Sequence, residues 1–98
     1  MDYSKMTDFE INRAVSMAML SKSENPSAKY VAINDYCNNP ADAWPVIVDN
    51  QISIYAMGKA DARGKWGAEA PHPYDIYSFN DNPLRAVAIV YLMMQEAK

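Results

Sequence analysis

The residues able to do chemistry are few and widely spaced. One histidine, His72, lies between Pro71 and Pro73, and one cysteine, Cys37, lies far from it in the chain. Serine–histidine–aspartate or cysteine–histidine catalysis would need the fold to bring His72 to Ser53, Ser78 or Cys37, with Glu69 or Asp75 as its nearby carboxylate. A histidine held between prolines reads more simply as part of a surface loop. One histidine and one cysteine fall short of a zinc ligand set. The only glycines, Gly58, Gly64 and Gly67, form no phosphate-cradling motif. Asp35, Asp42 and Asp81 fall near predicted helix starts, where capping and dipole complementarity explain a carboxylate more simply than acid–base work. The expectation is a protein without turnover, cofactor or metal.

Binding has better support than catalysis. Asn38-Asn39-Pro40-Ala41-Asp42-Ala43 and Asp81-Asn82-Pro83-Leu84-Arg85-Ala86 share the pattern [Asn/Asp]-Asn-Pro-x-x-Ala, each after a predicted strand. Asparagine caps a helix and proline suits its first position, so each run predicts a helix N-terminus. Such ends seat phosphates and carboxylates where backbone N–H groups are left unpaired. Around them fall Tyr36 and Trp44, whose rings can stack on a base, and Asn38, Asn39, Asn80 and Asn82, which can read polar edges. Arg85 can pair with a phosphate. Trp66, in a predicted hairpin, is a further stacking residue. The ligand-binding candidates are therefore Tyr36, Asn38, Asn39, Trp44, Asn82, Arg85 and Trp66. The plainer alternative is that Tyr36 and Trp44 are core, the asparagines are caps, Trp66 packs in its hairpin and Arg85 faces solvent.

The elements that must position these residues follow from pattern. Thr7-Asp8-Phe9-Glu10 is a capping box, with Met6 and Ile11 placed as a staple, opening a helix from about Asp8 to Leu20. Phe9, Val15 and Met19, with Asn12 and Ser16, mark its inner face, and Glu10 and Arg13 face water. Ser23–Ser27 reads as a loop. Lys29–Asp35 alternates like a half-buried strand. Pro40–Asn50 reads as one helix kinked at Pro45. Ile52–Met57 is a strand, Gly58–Gly64 a turn region, Lys65–Ala70 its hairpin partner, Pro71–Pro73 an extended connection and Tyr74–Phe79 the last strand. The terminal helix, after Asn82-Pro83, is apolar on every face through Ala86–Met94, so it must be covered by its own sheet or by another subunit. The order α-β-α-β-β-β-α predicts an α+β fold: a small layered sandwich with three helices and an antiparallel or mixed sheet of about four strands.

Composition bounds the function. The chain has 98 residues, half of them hydrophobic, enough for a single domain over residues 1–98. A net charge of −3 with scattered lysines and arginines gives no footprint for nucleic acid. A lone cysteine, no signal-like N-terminus and no membrane-length apolar run predict a cytoplasmic protein that does not engage a membrane. Seven methionines and seven tyrosines favour adaptable interfaces, and a homo-oligomer is expected.

The run Asp35-Tyr36-Cys37-Asn38-Asn39-Pro40-Ala41-Asp42-Ala43-Trp44-Pro45, with Asp81–Ala86 and Val90–Gln95, resembles the NinX-like family of phage proteins of unknown function. Asp2-Tyr3-Ser4 and Thr7–Asn12 fit the same family. The chain departs from it over Leu20–Lys29 and in the hairpin region Gly58–Tyr74. The family is similar to phage ABA-sandwich domains, which agrees with a layered fold. The resemblance implies a phage product acting in the bacterial host cell, and small phage accessory proteins of this kind often counter host defence. The leading expectation is an oligomer that sequesters a nucleotide-derived small molecule without turnover. The alternatives are a protein-binding inhibitor or adaptor of a host defence or replication factor, and a hydrolase of a nucleotide signal.

Overall fold

The computed structural model describes residues 2–21 and 33–98. Among these, a short 3-10 turn, Tyr3–Lys5, precedes helix α1, Asp8–Ser21. Helix α2 spans Pro40–Asn50, followed by strands β1, Ser53–Ala56, β2, Trp66–Glu69, and β3, Tyr77–Asn80, and by helix α3, Pro83–Glu96. The strands form one antiparallel meander in the order β1-β2-β3. The fold is α+β with three helices, and the sheet has three strands among the described residues rather than about four. Of the additional strand expected over Lys29–Asp35, residues 29–32 lie outside the described residues, as does the Ser23–Ser27 loop. Ile33, Asn34 and Asp35 are described and join no strand, because the Asp35 N–H and carbonyl are engaged in the turn leading to α2.

Helix α3 is the hub. It packs on β2 and β3 and on both α1 and α2. Ala86 through Leu92, with Met94, are buried in one continuous core with Ile11, Val15, Val46 and Ile52. Each fully buried valine, leucine or isoleucine side chain there is worth about 1.5–3 kcal/mol relative to leaving it in water. The apolar surface of α3 is thus largely closed by its own chain.

The capping box forms at the start of α1. Thr7 N–H donates to Glu10 Oε1 at 3.0 Å, and Glu10 N–H donates to Thr7 Oγ1 at 3.1 Å. The inward stripe of α1 is Ile11, Asn12, Val15 and Ser16. Phe9, expected inside, is instead 62% exposed. Adjacent pairs one turn apart bury the flank that meets α3, and Phe9 lies outside that stripe.

Helix α2 runs continuously through Pro45, which lacks the N–H that would have reached the exposed Ala41 carbonyl. It ends at Gln51 in the left-handed conformation, whose N–H caps the Val48 carbonyl. Pro71–Pro73 is a turn with a cis His72–Pro73 peptide rather than a straight extended connection. It closes with Tyr74 N–H on the Pro71 carbonyl at 3.0 Å.

Candidate functional site

The two Asn-Pro helix starts meet. Asn82 Nδ2 donates to the Cys37 carbonyl at 2.6 Å and to Asn38 Oδ1 at 3.3 Å, so the N-terminus of α3 is bonded to the turn that begins α2. That turn is drawn together by Asn38 and Asn39 N–H groups on the Asp35 carbonyl, at 3.3 and 2.8 Å. Asp42 Oδ2 accepts from Asp35 N–H at 3.0 Å. Buried Asn12 of α1 grips the same turn, donating to Asp35 Oδ1 at 2.9 Å and accepting from Cys37 N–H at 3.0 Å. Three helices are locked at one corner by amides and carboxylates.

The first-turn N–H groups at this corner are already taken. In α2, Asn39 Oδ1 accepts from Ala41, and the Asn39 carbonyl accepts from Asp42 and Ala43. In α3, Asn82 Oδ1 accepts from Leu84 and Arg85, and the Asn82 carbonyl accepts from Ala86. Pro40 and Pro83 have no N–H to offer. The sequence-based premise that these ends present unpaired donors is therefore corrected: the asparagine side chains that start the helices also satisfy them.

Arg85 is likewise engaged. Its side chain is only 12% exposed and pairs with Asp8 Oδ1 at 2.6 Å. The guanidinium also donates to the carbonyls of Met6 at 2.5 Å and of Tyr3 and Ser4, each at 3.4 Å. It clamps the N-terminal segment onto α3, and Tyr3 Oη adds a bond to Glu96 Oε1 at 2.6 Å. A hydrogen bond from Asn38, then Arg85 itself, holds Asp8 below the usual carboxylate range. Burial, reinforced by Glu96, pushes the Tyr3 phenol up to about 12.

The other sequence candidates separate. Tyr36 is buried, its hydroxyl placed between Asn34 Nδ2 and the Met19 sulfur, each at 3.3 Å. Asn38 spends its amide on Asp8 and Asp35. Trp44 stands 63% exposed on the outer side of α2. Cys37 is fully buried, and burial, then the Asp8 charge, pushes its thiol up to about 12. His72 is exposed in the Pro71–Pro73 turn. Burial and protonation leave Cys37 a poor nucleophile. Among the described residues no cluster of histidine, cysteine and carboxylate groups could hold a metal ion.

Trp66 has different surroundings. It opens β2 opposite Ala56 and lines a cleft of about 240 Å³ with Ala56, Gly58, Lys59 and Lys65. The cleft sits where the β1–β2 hairpin opens into its loop. The base of the loop is tied by Met57 N–H on the Lys65 carbonyl at 2.8 Å and by Lys65 N–H on Asp81 Oδ1 at 3.1 Å. Gly64 is required there: its φ is +145°, and a Cβ would lie 2.6 Å from Asn80 N. Asp61, the one carboxylate of this loop, is bound by Arg63 Nε at 3.0 Å and Nη2 at 2.8 Å. Those bonds depress Asp61 to about 2. Arg63 in turn lies 4.8 Å from the centre of the Phe79 ring. Among the described residues neither Lys59 nor Lys65 has a salt bridge. The cleft is thus mostly apolar and brings the side chains of two lysines beside the Trp66 indole. Sequence reading found Trp66 but not the lysines, whose convergence depends on the course of the hairpin loop.

Among the described residues no helix is long and apolar enough to cross a membrane. No curated protein and no solved structure matches the chain. The family model described as Bacteriophage P22, NinX matches residues 2–95, and with nearly the whole chain covered, this protein belongs to the phage NinX family.

Proposed function

We propose that this phage protein acts by holding an anionic, aromatic small molecule of the nucleotide type, without turnover, in the Trp66 cleft. The observation that carries the reading is the pairing of an exposed indole with Lys59 and Lys65 around one opening. A base stacked on an aromatic side chain gains about 1–3 kcal/mol, and a lysine serves a phosphate as a point charge. The cleft volume suits a single nucleobase with its phosphate outside, over the lysines. Sequestration rather than hydrolysis is supported by the burial of Cys37, which keeps its thiol protonated. Family membership supports the setting, an infected bacterial cell, where removing a host nucleotide signal would disarm a defence.

Titrating the protein with a panel of mono-, di- and cyclic nucleotides while following Trp66 fluorescence, in a Trp44→Phe background, tests the reading. Quenching should saturate and weaken in steps with Lys59→Gln and Lys65→Gln. A response that survives loss of both lysines would refute the assigned site. A response to none of the panel would remove the nucleotide class.

A protein partner is favoured by a separate observation, the exposed apolar side chains of the helices, Phe9, Met17, Trp44 and Val48. In that reading the chain is an inhibitor or adaptor of a host factor. Recovery of a host protein that depends on Trp44, with no nucleotide response, would support it.

A further inference from the structure

The outer side of α1 carries a groove of about 430 Å³ lined by Met6, Phe9, Glu10, Arg13, Ala14 and Met17. Phe9 and Met17 are 62% and 48% exposed, so the core leaves these two uncovered, whereas Met6 and Ala14 are partly buried against it. We infer that a second copy of this chain covers this stripe, with the α1 helices of the two copies antiparallel about a twofold axis level with the Ile11–Asn12 peptide.

The assignment rests on how the lining residues pair under that symmetry. With the axis at this level, Phe9 of one copy stands at the height of Ala14 of the other and Glu10 at the height of Arg13, while Met17 falls toward the end of the helix that Met6 precedes. Every lining residue finds a complement: thioether with thioether, a large ring with a methyl, a carboxylate with a guanidinium. Isologous interfaces demand this self-complementarity. Met6 and Met17 adapt to fill gaps, and the small Ala14 leaves room for the Phe9 ring. The charges also choose the direction. A parallel pair in register would set Glu10 against Glu10 and Arg13 against Arg13, which repel, whereas the antiparallel pair makes two opposite-charge contacts.

Glu10 can serve both roles. Its Oε1 accepts the Thr7 N–H of the capping box, leaving Oε2 to face Arg13 of the second copy. The stripe lies opposite the flank of α1 that packs on α3, so two copies can associate without disturbing either core. One helix pair is at the small end of specific interfaces, so the dimer should depend on concentration. It is independent of the Trp66 cleft, and each can fail alone.

Sedimentation equilibrium of the full chain from micromolar to millimolar concentration reads the assembly. The expected limit at high concentration is twice the 11.0 kDa of one chain. Phe9→Asp should leave a folded monomer, since that side chain contributes little to its own core. Arg13→Glu alone and Glu10→Lys alone should each be monomeric at low salt. Mixed together they should recover the dimer, because every contact then joins opposite charges. A parent chain that stays monomeric to millimolar concentration would overturn the inference and leave the stripe to another protein. Equal association by Phe9→Asp and the parent would place the dimer elsewhere. A mixture of the charge variants no more associated than either alone would overturn the antiparallel arrangement.

Discussion

Arg85→Ala should loosen the fold rather than cut a ligand contact. The guanidinium holds Asp8 at 2.6 Å and the Met6 carbonyl at 2.5 Å, with longer bonds to Tyr3 and Ser4. A hydrogen bond to a charged group contributes about 1.5–3 kcal/mol, so the Met6 contact sets the lower bound. The Asp8 contact adds less than a fully buried ion pair would, because Asp8 is 45% exposed and regains water when its partner leaves. Lost packing of the aliphatic stem brings the total to about 3 kcal/mol. At about 4–8 °C per kcal/mol for a domain of this size, Tm should fall by about 12–24 °C. Urea and thermal denaturation followed by circular dichroism measure this directly. Hydrogen exchange should locate the damage, with amides of Tyr3–Thr7 exchanging faster while those of β1–β3 change less. A loss below about 0.5 kcal/mol, the level of an ordinary surface substitution, would refute the clamp. So would destabilisation that leaves the N-terminal segment protected.

Other outcomes follow from the same geometry. Asp8 titrates below the ordinary carboxylate range when folded, so its contribution is present above about pH 4 and is lost as pH falls through the lowered folded value. Asp8→Asn should therefore flatten the acid limb of stability against pH, and an unchanged limb would count against the Asn38 and Arg85 contacts. Gly64→Ala should cost at least about 2 kcal/mol in urea denaturation, since it forces an unfavourable φ and presses a methyl on the Asn80 backbone. Cys37 should resist alkylation at neutral pH in the native chain and react promptly in urea, because burial keeps its thiol protonated. Rapid native labelling would contradict that burial.

Much of the fold is legible in the sequence, because its helix starts use local chemistry. Thr7 with Glu10, Asn39 with Pro40 and Asn82 with Pro83 place three helices within a residue of where they lie. The central position of α3 follows from a helix with no polar face. Strand limits are less legible: Tyr74–Ile76 alternate like the strand they precede, yet only Tyr77–Asn80 pair with β2. Phe9 shows how an aromatic at helical spacing can lie just off the buried stripe.

The residues of the candidate site are legible in type, but their hydrogen-bond partners are not. Asn38, Asn82 and Arg85 do converge, as the repeated Asn-Pro pattern suggests. Their polar atoms face one another, Asp8, Asp35 and backbone carbonyls, most of them supplied from distant parts of the chain. No local pattern reveals such partners. An asparagine that caps a helix and one that binds a phosphate look alike until the other end of each hydrogen bond is known. Trp66 and its lysines pose the opposite problem, because the loop that gathers them carries no recognisable motif.

The most direct measurement of the proposed function is mass spectrometry of small molecules released by heat from the protein. The protein should first be incubated in lysate of bacteria whose nucleotide-signalling defences have been triggered. One intact nucleotide is expected, recovered in proportion to the parent chain and absent from Trp66→Ala. Recovery of a cleaved product would contradict binding without turnover. Equal recovery from parent and Trp66→Ala would contradict the cleft, and release of no nucleotide at all would contradict the function.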